Sequence, residues 1–322
     1  MIIVAFHTPT IDERGTCIAL FDYAHYNETL LGNKSIIICP RVALHNASVY
    51  NSEVLQKFET RFPVFYYDES QTLDDICQFC NVFYCIKYGS DDGIISKKIR
   101  NIVHCVFDMS QPHGDIYAGV SQQLSAKFNS HLFVPHMVNF TPSPDISKMF
   151  FRRSLNIPDH ATVFGRHGGI DTFDIPWVKT VILKSVRLNP DIYFIFINTP
   201  RFCNHPNVFF LDKIINVDRK KEFISSCDAM IHAQSLGESF GLAIAEFSVH
   251  QKPIICFGNW VLNDNYKKIL GNKAIYYHSE DELLHILFHF DKRKYENRTD
   301  LNCYEDYSPE NVMVIFKKVF NL

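Results

Sequence analysis

The sequence predicts an α/β protein built from two doubly wound, mainly parallel-sheet domains. Three observations carry this. Short apolar runs rich in β-branched and aromatic residues alternate with helical patterns in both halves. A proline-rich break, Asn139-Phe140-Thr141-Pro142-Ser143-Pro144, interrupts the alternation, and prolines this close oppose both helix and central strand. Over residues 228–249 a strand, a small-residue turn and an apolar helix follow one another. In open α/β sheets ligands bind at such carboxyl ends of strands.

The first half reads in order as follows. MIIVAF is an unbroken apolar run and forms a first strand; HTPTIDERGT loops into a helix over residues 16–31. KSIIICP is the second strand. Polar residues interleaved with apolar ones predict a helix over residues 52–61. FPVFYY is a strand, TLDDICQFC a helix and NVFYCIKY a strand. NIVHCVF is another strand, SQQLSAKF a short helix and HLFVPHMV a further extended segment. Repeated βα units of this kind make parallel sheets.

The pattern restarts after the proline break. ISKMFFRRSL is a helix, ATVFGR a strand, PWVKTVILKSVRL a helix and IYFIFIN a strand. VFFL is a short strand, KKEFISSC a helix and DAMIHAQ a strand. An apolar helix and the strand PIICF come next, and a last helix covers residues 309–320. The expected division is 1–139, 140–306 and a terminal segment 307–322.

Composition narrows the function classes. The chain has 322 residues, enough for two domains, with 47% hydrophobic and 21% charged residues. A formal charge of −3 gives no support for nucleic-acid binding. No run approaches the ~18 apolar residues of a membrane span. The ten cysteines are scattered, without a preceding secretory signal, which points to free thiols in a cytoplasmic setting. Cys77 and Cys80 form a C-x-x-C, but no second pair or nearby histidine completes a zinc site, so they are expected in the core. No D-x-D stretch offers a metal-binding acid pair. Arg219-Lys220-Lys221 reads as a solvated helix face. Arg152 and Arg153 could add at most weak association with a membrane surface.

The stretch with the most chemistry is SLGESFGLAIAEFSVHQKPIICFG, which carries Glu238 and Glu246 eight positions apart. If every step between them is helical, they lie about 12 Å apart at ~1.5 Å each, roughly the length of a sugar nucleotide. Carboxylates accept hydrogen bonds from sugar and ribose hydroxyls, and amides at a helix start attract phosphate. Glu246 lies inside the apolar LAIAEFSV, where an unpaired charge is costly.

This run resembles the signature of glycosyltransferase family 4, the retaining nucleotide-sugar transferases of GT-B fold. The resemblance rests on Glu238-Ser239-Phe240-Gly241-Leu242 and, eight positions on, Glu246, followed by a strand. It implies two Rossmann-like domains facing a cleft, with the C-terminal helix crossing back to the first. It also implies transfer of a sugar from a nucleotide diphosphate, UDP- or GDP-linked, to a hydroxyl of a glycan, lipid or small-molecule acceptor, without a cofactor or metal. Glu246 would bind ribose, Glu238 the donor sugar, and the amides around Phe240, Gly241 and Leu242 the diphosphate.

Three other places fit the resemblance. Gly15, in DERGT after the first strand, matches a glycine-containing loop near the diphosphate and acceptor. Arg166, with Gly168 beside it, matches a diphosphate-binding arginine; the family's lysine a few residues on is missing, and Lys179 is out of register. Family members place a histidine near the transferred sugar, and both His113 and His104 match. His113 lies in a Pro-His-Gly loop and is favoured, while Asp108 could orient a histidine or bind acceptor. A GT-B sugar-nucleotide epimerase and a non-catalytic nucleotide-sugar-binding protein are the alternative readings.

Overall fold

A computed structural model describes residues 1–46, 49–68, 70–139, 151–259 and 261–322. The chain divides into two compact units, one of 1–139 with 307–322 and one of 140–306. Most of the proline break, 140–144, and the first half of the ISKMFFRRSL helix lie outside the described residues; 151–154 are helical.

The first unit holds six parallel strands: β1 (Ile3–His7), β2 (Lys34–Pro40), β3 (Val64–Tyr67), β4 (Val82–Lys87), β5 (Arg100–Cys105) and β6 (Ile116–Gly119). Their order is β3-β2-β1-β4-β5-β6. Parallel neighbours need crossovers, supplied in part by α1 (Gly15–Thr29), α2 (Ser52–Arg61) and α3 (Ser70–Cys77). Every residue of β4 is buried, as its unbroken apolar run requires. Side-chain caps fix helix starts: Asn51 accepts from the Glu53 and Val54 amides at α2, and Ser121 from the Leu124 amide at α4 (Gln122–Lys127).

The second unit repeats the plan with β7 (Thr162–Arg166), β8 (Ile192–Ile197), β9 (Val208–Leu211), β10 (Ala229–His232), β11 (Ile254–Phe257) and β12 (Ile275–Tyr277). These run parallel in the order β12-β11-β10-β7-β8-β9. Its helices are α5 (Pro176–Leu188), α6 (Val217–Ser226), α7 (Leu242–Val249), α8 (Asn265–Leu270) and α9 (Glu280–His289). Stacked phenylalanines fill the core, with Phe164 and Phe194 centred 5.2 Å apart and Phe196 and Phe210 5.4 Å apart. The last helix, α10 (Pro309–Phe320), belongs to the first unit: Phe316 stacks on Tyr23 of α1 at 4.9 Å, and Arg100 donates to the Phe320 carbonyl.

Among the described strands and α-helices, β6, α8, β12 and α9 were not expected. HLFVPHMV makes no ladder strand; Phe133 forms an isolated bridge to Gly119. Arg152 is also corrected. It is 1% exposed, donates to Ser226 O and Ala161 O and pairs with Asp228 at 2.8 Å, so it cannot dock on a membrane. Asp228 in turn accepts from the Val163 amide, which ties this ion pair to the start of β7.

Candidate functional site

In each sheet the chain reverses its direction of growth once, in the second unit between β7 and β10. Connections leave such neighbours in opposite directions and open a crevice at their carboxyl ends. β7 ends in Arg166-His167 there, and β10 ends in His232, followed by Gln234 and the loop to Glu238.

Local sequence shapes that loop. Gly237 has φ +71°, and a Cβ there would meet the Asn263 carbonyl oxygen at 2.1 Å, so only glycine lets the two backbones bridge. Ser235 is tied to Asp174 through its amide and hydroxyl, at 2.7 and 2.6 Å. Gly241, at φ +83°, caps α7, and the Tyr304 hydroxyl donates to the Phe240 carbonyl. Ser239 and Phe240 are buried and Leu242 opens the helix. Only the part of the run from Leu242 onward is helical, so the fully helical spacing between the two acids does not hold.

Glu246 is 8% exposed on α7. Lys220 Nζ lies 2.5 Å from Oε1, and His167 Nε2 lies 3.0 Å from Oε2 without the alignment of a hydrogen bond. Burial works to raise the pKa of this carboxyl, but Lys220 and His167 outweigh it and hold it at about 2. His167 is stacked on Phe247 and its pKa is lowered, by burial above all, with Glu246 opposing. Lys220 is therefore no solvated residue: its side chain is 13% exposed, while its neighbour Arg219 remains half exposed.

Glu238 lies at the other acid position, its side chain 24% exposed. His232 Nε2 is 3.5 Å from Glu238 Oε1, and neither nitrogen of this buried ring makes a hydrogen bond. Gln234 Oε1 and Asn263 Nδ2 are likewise buried without partners. A buried polar atom left unpaired costs about 1–3 kcal/mol. Native folds rarely carry several in one region unless something polar binds there.

Arg166 departs from expectation. It is 2% exposed, and its guanidinium is engaged by the protein itself. Nη1 donates to Ile197 O, Asn198 O and Thr199 Oγ1; Nη2 donates to Gly169 O and Thr172 Oγ1, both at 2.6 Å. Burial lowers its pKa to about 10, with Glu238 pulling the other way. In this conformation Arg166 clamps the loops after β7 and β8 through Nη1 and Nη2. Gly168, at φ +149°, passes close to it: a Cβ would sit 3.2 Å from Nη2. Lys179 lies over the Phe202 ring instead.

In the first unit the two candidate histidines separate. His104 is fully buried; the Tyr84 hydroxyl lies 2.7 Å from Nδ1 and Val134 O 2.8 Å from Nε2. The carbonyl needs an N–H, so the ring is the Nε2–H tautomer, and burial lowers its pKa to about 4. It is a core group with no nitrogen left for a sugar, a correction to its candidacy. His113 lies in its loop with Nδ1 2.7 Å from Gln111 O and Nε2 3.2 Å from Lys87 Nζ. These partners select Nδ1–H, leaving Nε2 to accept from Lys87, which also pairs with Asp92. Asp108 orients neither histidine: its two oxygens accept from the Ser110 amide and hydroxyl. Gly15 is exposed at the first position of α1.

No protein-family model and no curated protein matches the chain. Solved structures do. HepE of Anabaena, in complex with UDP-glucose, superposes with a TM-score of 0.70 at 11% identity, over 100% of this chain and 99% of that one. A glycosyltransferase from Rickettsia africae gives 0.70 at 11%, over 99% and 98%. TarM of S. aureus, in a complex that includes UDP, gives 0.67 at 8%, over 100% of both. The fold is GT-B.

Lys220, His167 and His232 lie beside the two glutamates, where sequence reasoning did not place them. His167 adjoins Arg166 and His232 ends the strand before Glu238. Lys220 is 26 positions from its partner and carried no local signal. Among the described residues no group of histidine, cysteine, aspartate and glutamate forms a metal centre, and no helix is long and apolar enough to cross a membrane. Cys77 and Cys80 are buried free thiols.

Proposed function

We propose that this protein is a retaining glycosyltransferase that moves a sugar from a nucleotide diphosphate, UDP- or GDP-linked, to a hydroxyl of a glycan, lipid or small-molecule acceptor. The observation that carries the reading is the crevice between β7 and β10. It combines two carboxylates at the family spacing with unpaired buried polar atoms, on a fold shared with HepE, whose structure holds UDP-glucose.

Glu246 accepts the ribose hydroxyls and Glu238 a hydroxyl of the donor sugar. The amides at the start of α7 meet the diphosphate. Lys220 adds positive charge beside Glu246 at the nucleotide end of the site, and no metal is part of this proposal. Stabilising charge on the departing diphosphate is the largest electrostatic task of such a site. The anomeric C–O bond to phosphate breaks, a C–O bond to the acceptor forms, and the acceptor proton leaves with the nucleotide diphosphate. His113 keeps the catalytic assignment, with the protein acting in the cytoplasm.

A thermal-shift screen against UDP, GDP, ADP and their sugars identifies the donor. Proton NMR of the first glycoside formed from it then reads the configuration: retention supports the proposal and inversion contradicts it. The engagement of Arg166 by backbone carbonyls favours a second reading, a non-catalytic nucleotide-sugar-binding protein. Nucleotide binding with no donor consumption, across a panel of acceptors, would select it.

A further inference from the structure

His232 stands out among the buried residues of the second unit. It closes β10 on one side of the switch-point crevice, across from Arg166 at the end of β7. Its position is fixed from three sides. The Tyr277 hydroxyl donates to its carbonyl at 2.8 Å, its Cα pairs with Cys256 of β11, and its ring lies 5.3 Å from that of Tyr266. Its side chain is 6% exposed, yet both ring nitrogens lack a hydrogen-bond partner, and Nε2 lies 3.5 Å from Glu238 Oε1 without the alignment of a hydrogen bond. A packed imidazole serving only as filler would be expected to satisfy at least one nitrogen, as His104 does with two partners.

The neighbouring charge selects what can bind. An ionised carboxylate only accepts hydrogen bonds. A phosphate oxygen placed between Glu238 and His232 would meet like charge at short range. A sugar hydroxyl can donate to Glu238 and accept from the imidazole N–H at once, and bonds linked in this way strengthen one another. We propose that His232 is a donor-sugar-binding residue that works with Glu238 and contributes to the choice of sugar. This assignment rests on the glycosyltransferase reading and deepens it: the nucleotide end belongs to Glu246 and Lys220, the sugar end to Glu238 and His232.

The test uses the intact chain, titration calorimetry and two variants. His232→Phe keeps a ring against Tyr266 and removes both nitrogens; His232→Gln restores one donor near Nε2. Probes are UDP, GDP, UDP-glucose, UDP-N-acetylglucosamine and GDP-mannose. The wild type is expected to bind one nucleotide sugar more tightly than the matching bare nucleotide. In His232→Phe that added affinity drops about tenfold while the bare nucleotide stays within about twofold, and His232→Gln recovers part of it. Equal losses for sugar nucleotide and nucleotide, no loss at all, or a wild type in which the sugar adds nothing would each overturn the assignment while leaving the glycosyltransferase reading standing. A wild type that binds no nucleotide would overturn the glycosyltransferase reading itself, and this assignment with it.

Discussion

Lys220 Nζ of α6 lies 2.5 Å from Glu246 Oε1 of α7, so the one carboxylate inside an apolar helix is neutralised from a helix 26 positions earlier. The pair explains how LAIAEFSV tolerates an acid. Removing one partner of a buried pair strands the other, at a cost of about 3–5 kcal/mol when burial is complete. Lys220→Met is expected to lower the urea midpoint and to raise the Glu246 pKa from about 2, because burial then acts with only His167 against it. Carbon-detected NMR titration of the glutamate carboxyls reads this. An unchanged titration would show that Lys220 does not govern the acid.

The same carboxyl sets a pH dependence. Its folded pKa lies below the ordinary value of 4.5, so its stabilising contribution is present above about pH 4.5 and is lost as pH falls toward 2. The buried histidines act earlier. His7 and His104 are held near 3 and 4 against an ordinary 6.5, so the unfolded chain takes up protons first as pH falls below 6.5. Each is expected to cost roughly 2 kcal/mol at pH 5 relative to pH 7. Urea unfolding at both pH values measures the loss. The His104→Gln variant should show a shallower decline; an identical slope would mean that His104 is already protonated in the fold.

Arg166→Ala is expected to destabilise the second unit by about 2 kcal/mol or more, since hydrogen bonds to a charged group contribute ~1.5–3 kcal/mol. The backbone carbonyls of two loops lose their donor. Differential scanning calorimetry checks this. A variant of unchanged melting temperature with a selective loss for diphosphate ligands would return Arg166 to the phosphate.

Arg152→Met removes one member of a sealed ion pair and leaves Asp228 with the Val163 amide. The expected loss is about 3–5 kcal/mol. Stability indistinguishable from wild type in chemical denaturation would show that the pair contributes nothing net.

Much of the fold was legible because its signals are local. β4 and β8 are continuous apolar runs, and the last helix begins at Pro309 as its pattern requires. β12 was not legible: three residues carry no periodicity. α9 was legible and overlooked, since Ser279 caps it through the Glu282 amide and Leu283 and Leu287 line its buried face. In the crevice, the places of Glu238 in the turn and Glu246 on the helix after it were readable from the local sequence. Lys220 was not, because an ion pair with a partner 26 positions away leaves no mark in the local sequence of its helix. The hydrogen bonds of Arg166 were hidden for a related reason: a guanidinium poised for phosphate and one clasped by carbonyls look alike in sequence.

The central claim is that the crevice of the second unit binds a nucleotide sugar through Glu246. Titration calorimetry of the wild type, Glu246→Ala and Glu246→Gln with UDP, GDP and their sugars tests it most directly. The expected result is one preferred nucleotide, bound roughly tenfold or more weakly by both variants, the loss that follows from removing a charge-assisted hydrogen bond. Unchanged affinity in a folded variant would contradict the account.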